Sequence, residues 1–302
     1  MDNYRPYYVP EKSYWPLLGS VGLITIIVGG VGILQAHSFG KYLFFMGALI
    51  MAGMLYGWFH HIIMEDSKGL YSPQMDRTFR WGMVWFIFSE VMFFLAFFGV
   101  LFYVRHYGIY WLANEGTKIH NHNAYTDIWP TFQAVWPLLK NPNPEAFPGP
   151  IGVISPWGLP AVNTLLLLSS GVTITWAHHA LKDNMRKRLL WGLGITILLG
   201  VTFLCVQAYE YHHAYKELGL TLNSGIYGTT FFMLTGFHGA HVIIGSIFLI
   251  VCLFRAIAGQ FKPAQHLGFE FAAWYWHFVD VVWLFLFASI YIWGAGASAG
   301  GH

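Results

Sequence analysis

Charge is scarce in this sequence. Of its 302 residues only 10% are charged while 56% are apolar, and the mean hydropathy is positive. That balance excludes a water-soluble globular domain and points to an integral membrane protein. The formal charge of +2 is too small to argue for a nucleic-acid partner. Cysteine is scarcer still. Cys205 and Cys252 both fall inside apolar segments, so no disulfide framework, CxxC redox pair or CxxCH haem attachment can be built from them. Phosphate loops, HExxH sequences, nucleophile elbows and nucleic-acid modules are missing as well, which leaves the chain without catalytic apparatus of its own. No inverted internal repeat of the transporter kind is visible.

What is present is length of apolar run. Segments able to cross a bilayer occur at about 15 to 36, 41 to 63, 81 to 104, 158 to 181, 189 to 211, 227 to 254 and 269 to 293, which predicts seven transmembrane helices. The 14 Trp, 17 Tyr and 26 Phe suit aromatic belts repeated at several membrane surfaces. The first run is too long for a signal-peptide core and reads as a retained span. With the amino terminus inside, inner segments hold Arg5, Lys12, Lys68, Arg77, Arg80, Lys182, Arg186, Lys187, Arg188, Arg255 and Lys262. Outer segments hold Lys41, Arg105, Lys118, Lys140 and Lys216. This bias of basic residues places the amino terminus inside and the carboxyl terminus outside.

The hydrophilic stretch from Glu65 to Thr78 sets the first two helices apart from the rest. The predicted organisation is transmembrane helices 1 and 2 over residues 1–66, an inner connecting loop over 67–80, and helices 3 to 7 over 81–302. A long outer loop spans about 106 to 156, and its seven prolines forbid a long helix there, so an irregular cap is expected. Gly29, Gly30 and Gly32 offer the first helix a close-packing face, and Gly236 with Ala240 does so for the sixth.

One acid falls in the third span. Trp81 to Val104 are apolar, glycine or weakly polar apart from Ser89 and Glu90. Twenty-four helical residues rise about 36 Å, and Glu90, the tenth of them, falls near the bilayer midplane. Ionisation there costs a few kcal/mol or more. Desolvation therefore favours an uncharged Glu90, which is either a neutral acid bonded across a helix interface or a proton carrier.

Histidines supply the other polar groups at depth. His238 and His241 in the sixth span, and His277 and Asp280 in the seventh, are each spaced i to i+3 on one helix face. Two readings fit: axial ligands of a b-type haem, or a buried polar network in which His277 donates to Asp280 and His238 or His241 meets a carboxyl such as Glu90. The second needs no cofactor, because Asp280 already supplies a partner. The adjacent pairs His60-His61, His178-His179 and His212-His213 point about 100° apart on a helix and fall near membrane surfaces. His120 and His122 have zinc-like spacing but no third ligand at firm spacing. Glu210, with Gln207 one turn earlier, and Glu270 read as solvated or hydrogen-bonded residues at helix ends. Arg80 and Arg255 fall at inner helix ends, where a guanidinium can hold a lipid phosphate while Trp58 and Phe86 meet acyl chains. Ordinary snorkelling accounts for the same positions.

Several stretches resemble the subunit III family of haem-copper cytochrome c oxidases: SEVMFF from Ser89, WAHHAL from Trp176, QAYEY from Gln207, YGTTFFMLTGFHGAHVIIG from Tyr227 and GFEFAAWYWHFVDVVWLFLF from Gly268. The resemblance runs from about Trp15 to Trp293. Two departures are an outer loop at about 107 to 155 longer than the family's, and Phe271 where the family usually has alanine. The resemblance implies an all-α membrane fold in which a two-helix unit and a five-helix bundle are separated by a lipid-filled cleft. It implies a non-catalytic subunit of a proton-pumping enzyme in an aerobic respiratory chain, with no cofactor in this chain beyond bound phospholipids. Haem and copper reside in partner subunit I, and subunit II receives electrons from cytochrome c. By matched position Glu90 is the family's buried acid, and Trp58, Arg80, Phe86 and Arg255 are lipid contacts. The implied roles are support of subunit I, of proton uptake and of lipid and oxygen access. The implied location is the bacterial inner membrane, with the mitochondrial inner membrane as alternative. Rival readings are subunit III of a quinol oxidase, which often lacks the first two helices, a stand-alone transporter relaying protons through Glu90 and Asp280, and a haem-binding electron carrier.

Overall fold

A computed structural model of the chain describes Tyr8, residues 12–113, Trp129 and residues 131–295. His120 and His122 lie outside the described residues. The described residues form seven helices long and apolar enough to cross a membrane. These are α1 (Trp15–Leu34), α2 (Ser38–Ser67), α3 (Pro73–Tyr103), α4 (Leu159–Lys182), α5 (Arg186–Lys216), α6 (Ile226–Ile257) and α7 (Leu267–Leu286). The chain divides into two compact units, Met1–Gly82 and Met83–His302.

In the first unit α1 and α2 form an antiparallel hairpin joined at Gln35 to His37. Ala36 makes the turn with φ +57°, a left-handed conformation uncommon for a residue with a Cβ. Glycine lets the two backbones touch. A Cβ on Gly29 would collide with the Phe44 nitrogen, one on Gly47 would stand 2.6 Å from the Ile26 nitrogen, and Gly32 meets Gly40 directly. Gly30 has nothing within 4 Å, so it is not part of the seam anticipated for it. At the far end of α2, Glu65 gathers two phenols: Tyr71 donates to Oε2 at 2.7 Å and Tyr8 to Oε1 at 2.9 Å. Burial, reinforced by Glu65, pushes the Tyr71 hydroxyl above the ordinary tyrosine range.

Helix α3 begins eight residues before the apolar run. Ser72 Oγ accepts the Met75 N–H, Pro73 occupies the first turn and Asp76 sits in it, a set that stabilises a helix start in polar surroundings. Nor does the helix stop at Arg105. A π-helical turn over Val104–Gly108 leads into one more α-turn, Ile109–Leu112. The Arg105 guanidinium lies over the Trp293 ring at 3.6 Å and donates to the Trp293 carbonyl, so the charge meets an aromatic face instead of ending the helix. Beyond it, residues 131–158 contain no helix, as the prolines require.

The core of the second unit is built on α7. Trp276 is fully buried, and its indole occupies space that glycine leaves on two neighbouring helices. A Cβ at Gly200 of α5 would fall 2.6 Å from the indole, and one at Gly245 of α6 3.0 Å from it. The indole N–H donates to Ser170 Oγ of α4 at 2.8 Å. One side chain thus ties α7 to α4, α5 and α6. Gly236, anticipated as the close approach of α6, has only the Tyr211 hydroxyl at 3.8 Å; Gly245 takes that role because it faces the buried Trp276 of α7. A π-helical turn, Phe287–Ile292, extends α7.

Candidate functional site

The polar residues of the second unit fall into separate groups along the bundle. Helix α3 carries Glu90 and α6 carries His241, and the two meet at 2.7 Å between Oε2 and Nε2. Aromatic packing sets that meeting. The His241 ring lies 4.9 Å from Phe94, Phe93 packs edge-on against Phe237 at 5.1 Å, and Tyr275 of α7 stacks beyond the imidazole. Since a carbonyl oxygen only accepts, His241 Nδ1 carries the proton donated to the Phe237 carbonyl at 2.6 Å. One further proton then lies between Glu90 and Nε2. On the carboxyl it makes a neutral acid donating to a neutral imidazole; on the ring it makes an ion pair. Both arrangements carry no net charge, which is what an environment of low dielectric favours. The pair is not sealed: the Glu90 side chain is 22% exposed and that of His241 12%.

His238, one turn before His241, has a different environment. Nε2 donates to the Val279 carbonyl at 3.2 Å, while the ring packs against Phe203 and Trp283, and Nδ1 has no hydrogen-bond partner. His277 and Asp280 form a third group. Thr175 gives its hydroxyl proton to the Gly171 carbonyl, so His277 Nε2 donates to Thr175 Oγ1 at 3.1 Å. His277 Nδ1 lies 3.7 Å from Asp280 Oδ2, too long for a direct hydrogen bond. Asp280 is seated against Gly171, where a Cβ would come within 2.5 Å of its carboxyl. The residues expected to form a buried polar network, His238, His241, His277 and Asp280, fall into three groups: His241 meets Glu90, His238 bonds the Val279 carbonyl, and His277 bonds Thr175 rather than Asp280. His277, at 45% side-chain exposure, is not buried, because the i to i+3 step turns Asp280 inward and leaves the imidazole at the rim of α4 and α7.

The lipid candidates are placed as follows. On α2, Trp58 is exposed and stacks on Phe59. Arg80 is partly buried near the start of α3, and further along the same helix Phe86 is exposed, with its ring against Tyr275. Arg255 donates to Gln260 Oε1 at 3.0 Å and its guanidinium lies 4.6 Å over the Phe261 ring. Phe271, one of the departures from the resemblance, is partly buried with its ring beside Trp274. The paired histidines near helix ends find local partners: His61 meets Glu65, His179 donates to the Thr175 carbonyl and His213 meets Glu217. Among the described residues no group of three or more His, Cys, Asp or Glu is placed to hold a metal ion.

Sequence reasoning missed the burial of Glu210. It is 0% exposed, and Tyr291 donates to its Oε1 at 2.6 Å. The signal available was Gln207 one turn earlier, which faces the same side of α5 and is buried with it.

Comparison with known proteins agrees with this architecture. The family described as "Cytochrome c oxidase subunit III" matches residues 5–109 and 139–295, leaving out most of the long loop. A "Probable cytochrome c oxidase subunit 3" of Rickettsia bellii is 42% identical over 98% of this chain and all of its own length. "Cytochrome c oxidase subunit 3" of Prototheca wickerhamii is 42% identical, covering 96% of this chain and 98% of the relative. The protein of that name from Aedes aegypti is 40% identical, with 96% and 97% covered. With matches of this extent, and seven membrane-crossing helices, the chain belongs to the cytochrome c oxidase subunit III family and is a multi-pass membrane subunit of that respiratory oxidoreductase.

Proposed function

We propose that this chain is the non-catalytic supporting subunit of a proton-pumping cytochrome c oxidase. In this reading it packs beside a subunit I that holds haem and copper and a subunit II that receives electrons from cytochrome c. It braces subunit I, sustains proton uptake and holds phospholipid along a route for oxygen. The observation that supports the reading is the engagement of its deep histidines. His241 is held by Glu90 and the Phe237 carbonyl, His238 by the Val279 carbonyl and His277 by Thr175. Both ring nitrogens of His241 are bonded to protein, and the remaining nitrogen of His238 is closed in by Phe203 and Trp283. Two imidazoles presented to one haem would require a different arrangement.

Trp58, Arg80, Phe86 and Arg255 are the proposed lipid contacts. The flat Arg255 guanidinium, fixed by Gln260 and Phe261, suits bidentate contact with a phosphate. The proposed organisation is a two-helix part ending with α2 at Ser67, a connection shortened to residues 68–72 by the early start of α3 at Pro73, and a five-helix part from α3 onward, with the amino terminus inside. The full-length match to the Rickettsia bellii relative supports a bacterial inner membrane. The test removes this chain from the purified oxidase and adds it back. The depleted enzyme should keep its initial rate of oxygen reduction and its visible spectrum but lose activity progressively with turnover, and re-addition should restore its lifetime. A depleted enzyme as durable as the intact one would contradict the proposed role. Replacing Arg80 and Arg255 with leucine should strip lipid from an assembled complex, and unchanged lipid retention in native mass spectrometry would remove those residues from the lipid set.

A further inference from the structure

Glu210 is a carboxyl sealed inside the second unit. Side chains from two other helical segments reach the group of which it is part. Tyr291, in the π-helical turn after α7, donates its hydroxyl proton to Glu210 Oε1 at 2.6 Å. Gln207, one turn earlier on α5, donates to the same oxygen at 3.5 Å, and Asn163 of α4 donates to Gln207 Oε1 at 3.4 Å. All four residues are buried. Two acceptors among them, Glu210 Oε2 and Asn163 Oδ1, are buried without a hydrogen-bond partner.

The pattern around the carboxyl is lopsided. An ionised carboxylate shares its charge over two oxygens and accepts at both, whereas here both donors meet Oε1 and none meets Oε2. That is the arrangement of a carboxylic acid whose carbonyl oxygen is Oε1 and whose hydroxyl is Oε2. Loss of hydration points the same way, because the two side chains that bond the carboxyl, those of Tyr291 and Gln207, are neutral, and the nearby His213 is engaged by Glu217. A neutral Glu210 offers an O–H with no acceptor, and the chain of hydrogen bonds that runs from it through Gln207 ends on Asn163, whose amide oxygen has no donor. Water is the small species that serves both, and buried waters characteristically bridge polar groups left unpartnered by the protein.

We propose that Glu210 is held as a neutral acid and that Glu210 Oε2 and Asn163 Oδ1 together bind one internal water molecule. The water accepts the hydrogen bond of the carboxyl and donates one to the amide oxygen. The inference does not depend on the proposed role of the chain in the oxidase. It is tested in the intact complex carrying the full chain. A density map fine enough to show ordered water should place one peak within hydrogen-bond reach of both Glu210 Oε2 and Asn163 Oδ1. A Glu210 Oε2 found bonded directly to protein, or a peak with the strength and coordination of a metal ion, overturns it. The infrared difference between wild type and Glu210→Gln should show the loss of one deuterium-sensitive protonated-carboxyl band. Loss of a carboxylate band instead overturns the neutral acid. The map needs no variant, so it decides the matter even if Glu210→Gln fails to assemble.

Discussion

Breaking the contact between Glu90 and His241 should cost more in each single variant than the pair is worth together. His241→Leu removes the partner 2.7 Å from Glu90 Oε2 and leaves the carboxyl without that bond. A polar group left unpaired in this way costs about 1–3 kcal/mol. The larger penalty of a broken buried ion pair is reduced because the Glu90 side chain is 22% exposed. Glu90→Leu leaves the His241 ring bonded to the Phe237 carbonyl but strips Nε2 of its partner, at about 1–2 kcal/mol. With both residues leucine neither loss remains, so the double variant should be less damaged than the sum of the singles. Hydrogen bonds between helices in membranes couple by about 0.6 kcal/mol on average and about 1.7 at most. A short contact sharing one proton belongs at the upper end, so the expected coupling is about 1–1.7 kcal/mol. The assay is SDS-induced unfolding of the four proteins in mixed micelles, followed by circular dichroism. Coupling below about 0.5 kcal/mol, the limit of simple additivity, would refute the pairing.

Other perturbations test other parts of the fold. Gly200→Ala should destabilise the chain by about 1–3 kcal/mol through overpacking against Trp276, whereas Gly239→Ala, with nothing within 4 Å, should be neutral or mildly stabilising in the same unfolding assay. An apolar carbodiimide should label Glu90, which is partly exposed within a span, and leave the sealed Glu210 unmodified, as read by peptide mass spectrometry; equal labelling of the two would contradict the burial pattern. Burial raises the Tyr71 hydroxyl above its unfolded value, so its contribution is fully present below about pH 10 and lost as pH rises beyond it. Limited proteolysis at residues 68–72 should therefore increase only in strong alkali in wild type, but already at neutral pH in Tyr71→Phe, which lacks the hydroxyl bonded to Glu65.

The seven helices were legible because each is an apolar run longer than a bilayer crossing needs, a signal that packing cannot override. Helix ends were less so. The start of α3 at Pro73 depends on the Ser72 cap inside a polar stretch, and its continuation past Arg105 depends on Trp293, 188 residues away. The glycine seam of the hairpin was half visible. Gly29 and Gly32 face α2, but Gly30 is turned about 100° from Gly29 and meets nothing. The residues that complete the seam are Gly22, seven before Gly29 in α1, and Gly40 and Gly47, seven apart in α2. A histidine partner for Glu90 could be anticipated, yet His238 and His241 share one face of α6. Only the placement of α3 beside Phe237 and Tyr275 decides for His241. For Glu210 the local sign of burial was Gln207 one turn earlier, while the hydroxyl that reaches it, that of Tyr291, lies 81 residues further along the chain.

The most direct measurement separates this chain from the purified oxidase by mild detergent and records visible spectra and metal content of both fractions. A supporting subunit leaves all haem and copper with the depleted enzyme and shows no absorption of its own beyond the aromatic ultraviolet. Haem or copper travelling with this chain in stoichiometric amount would contradict it.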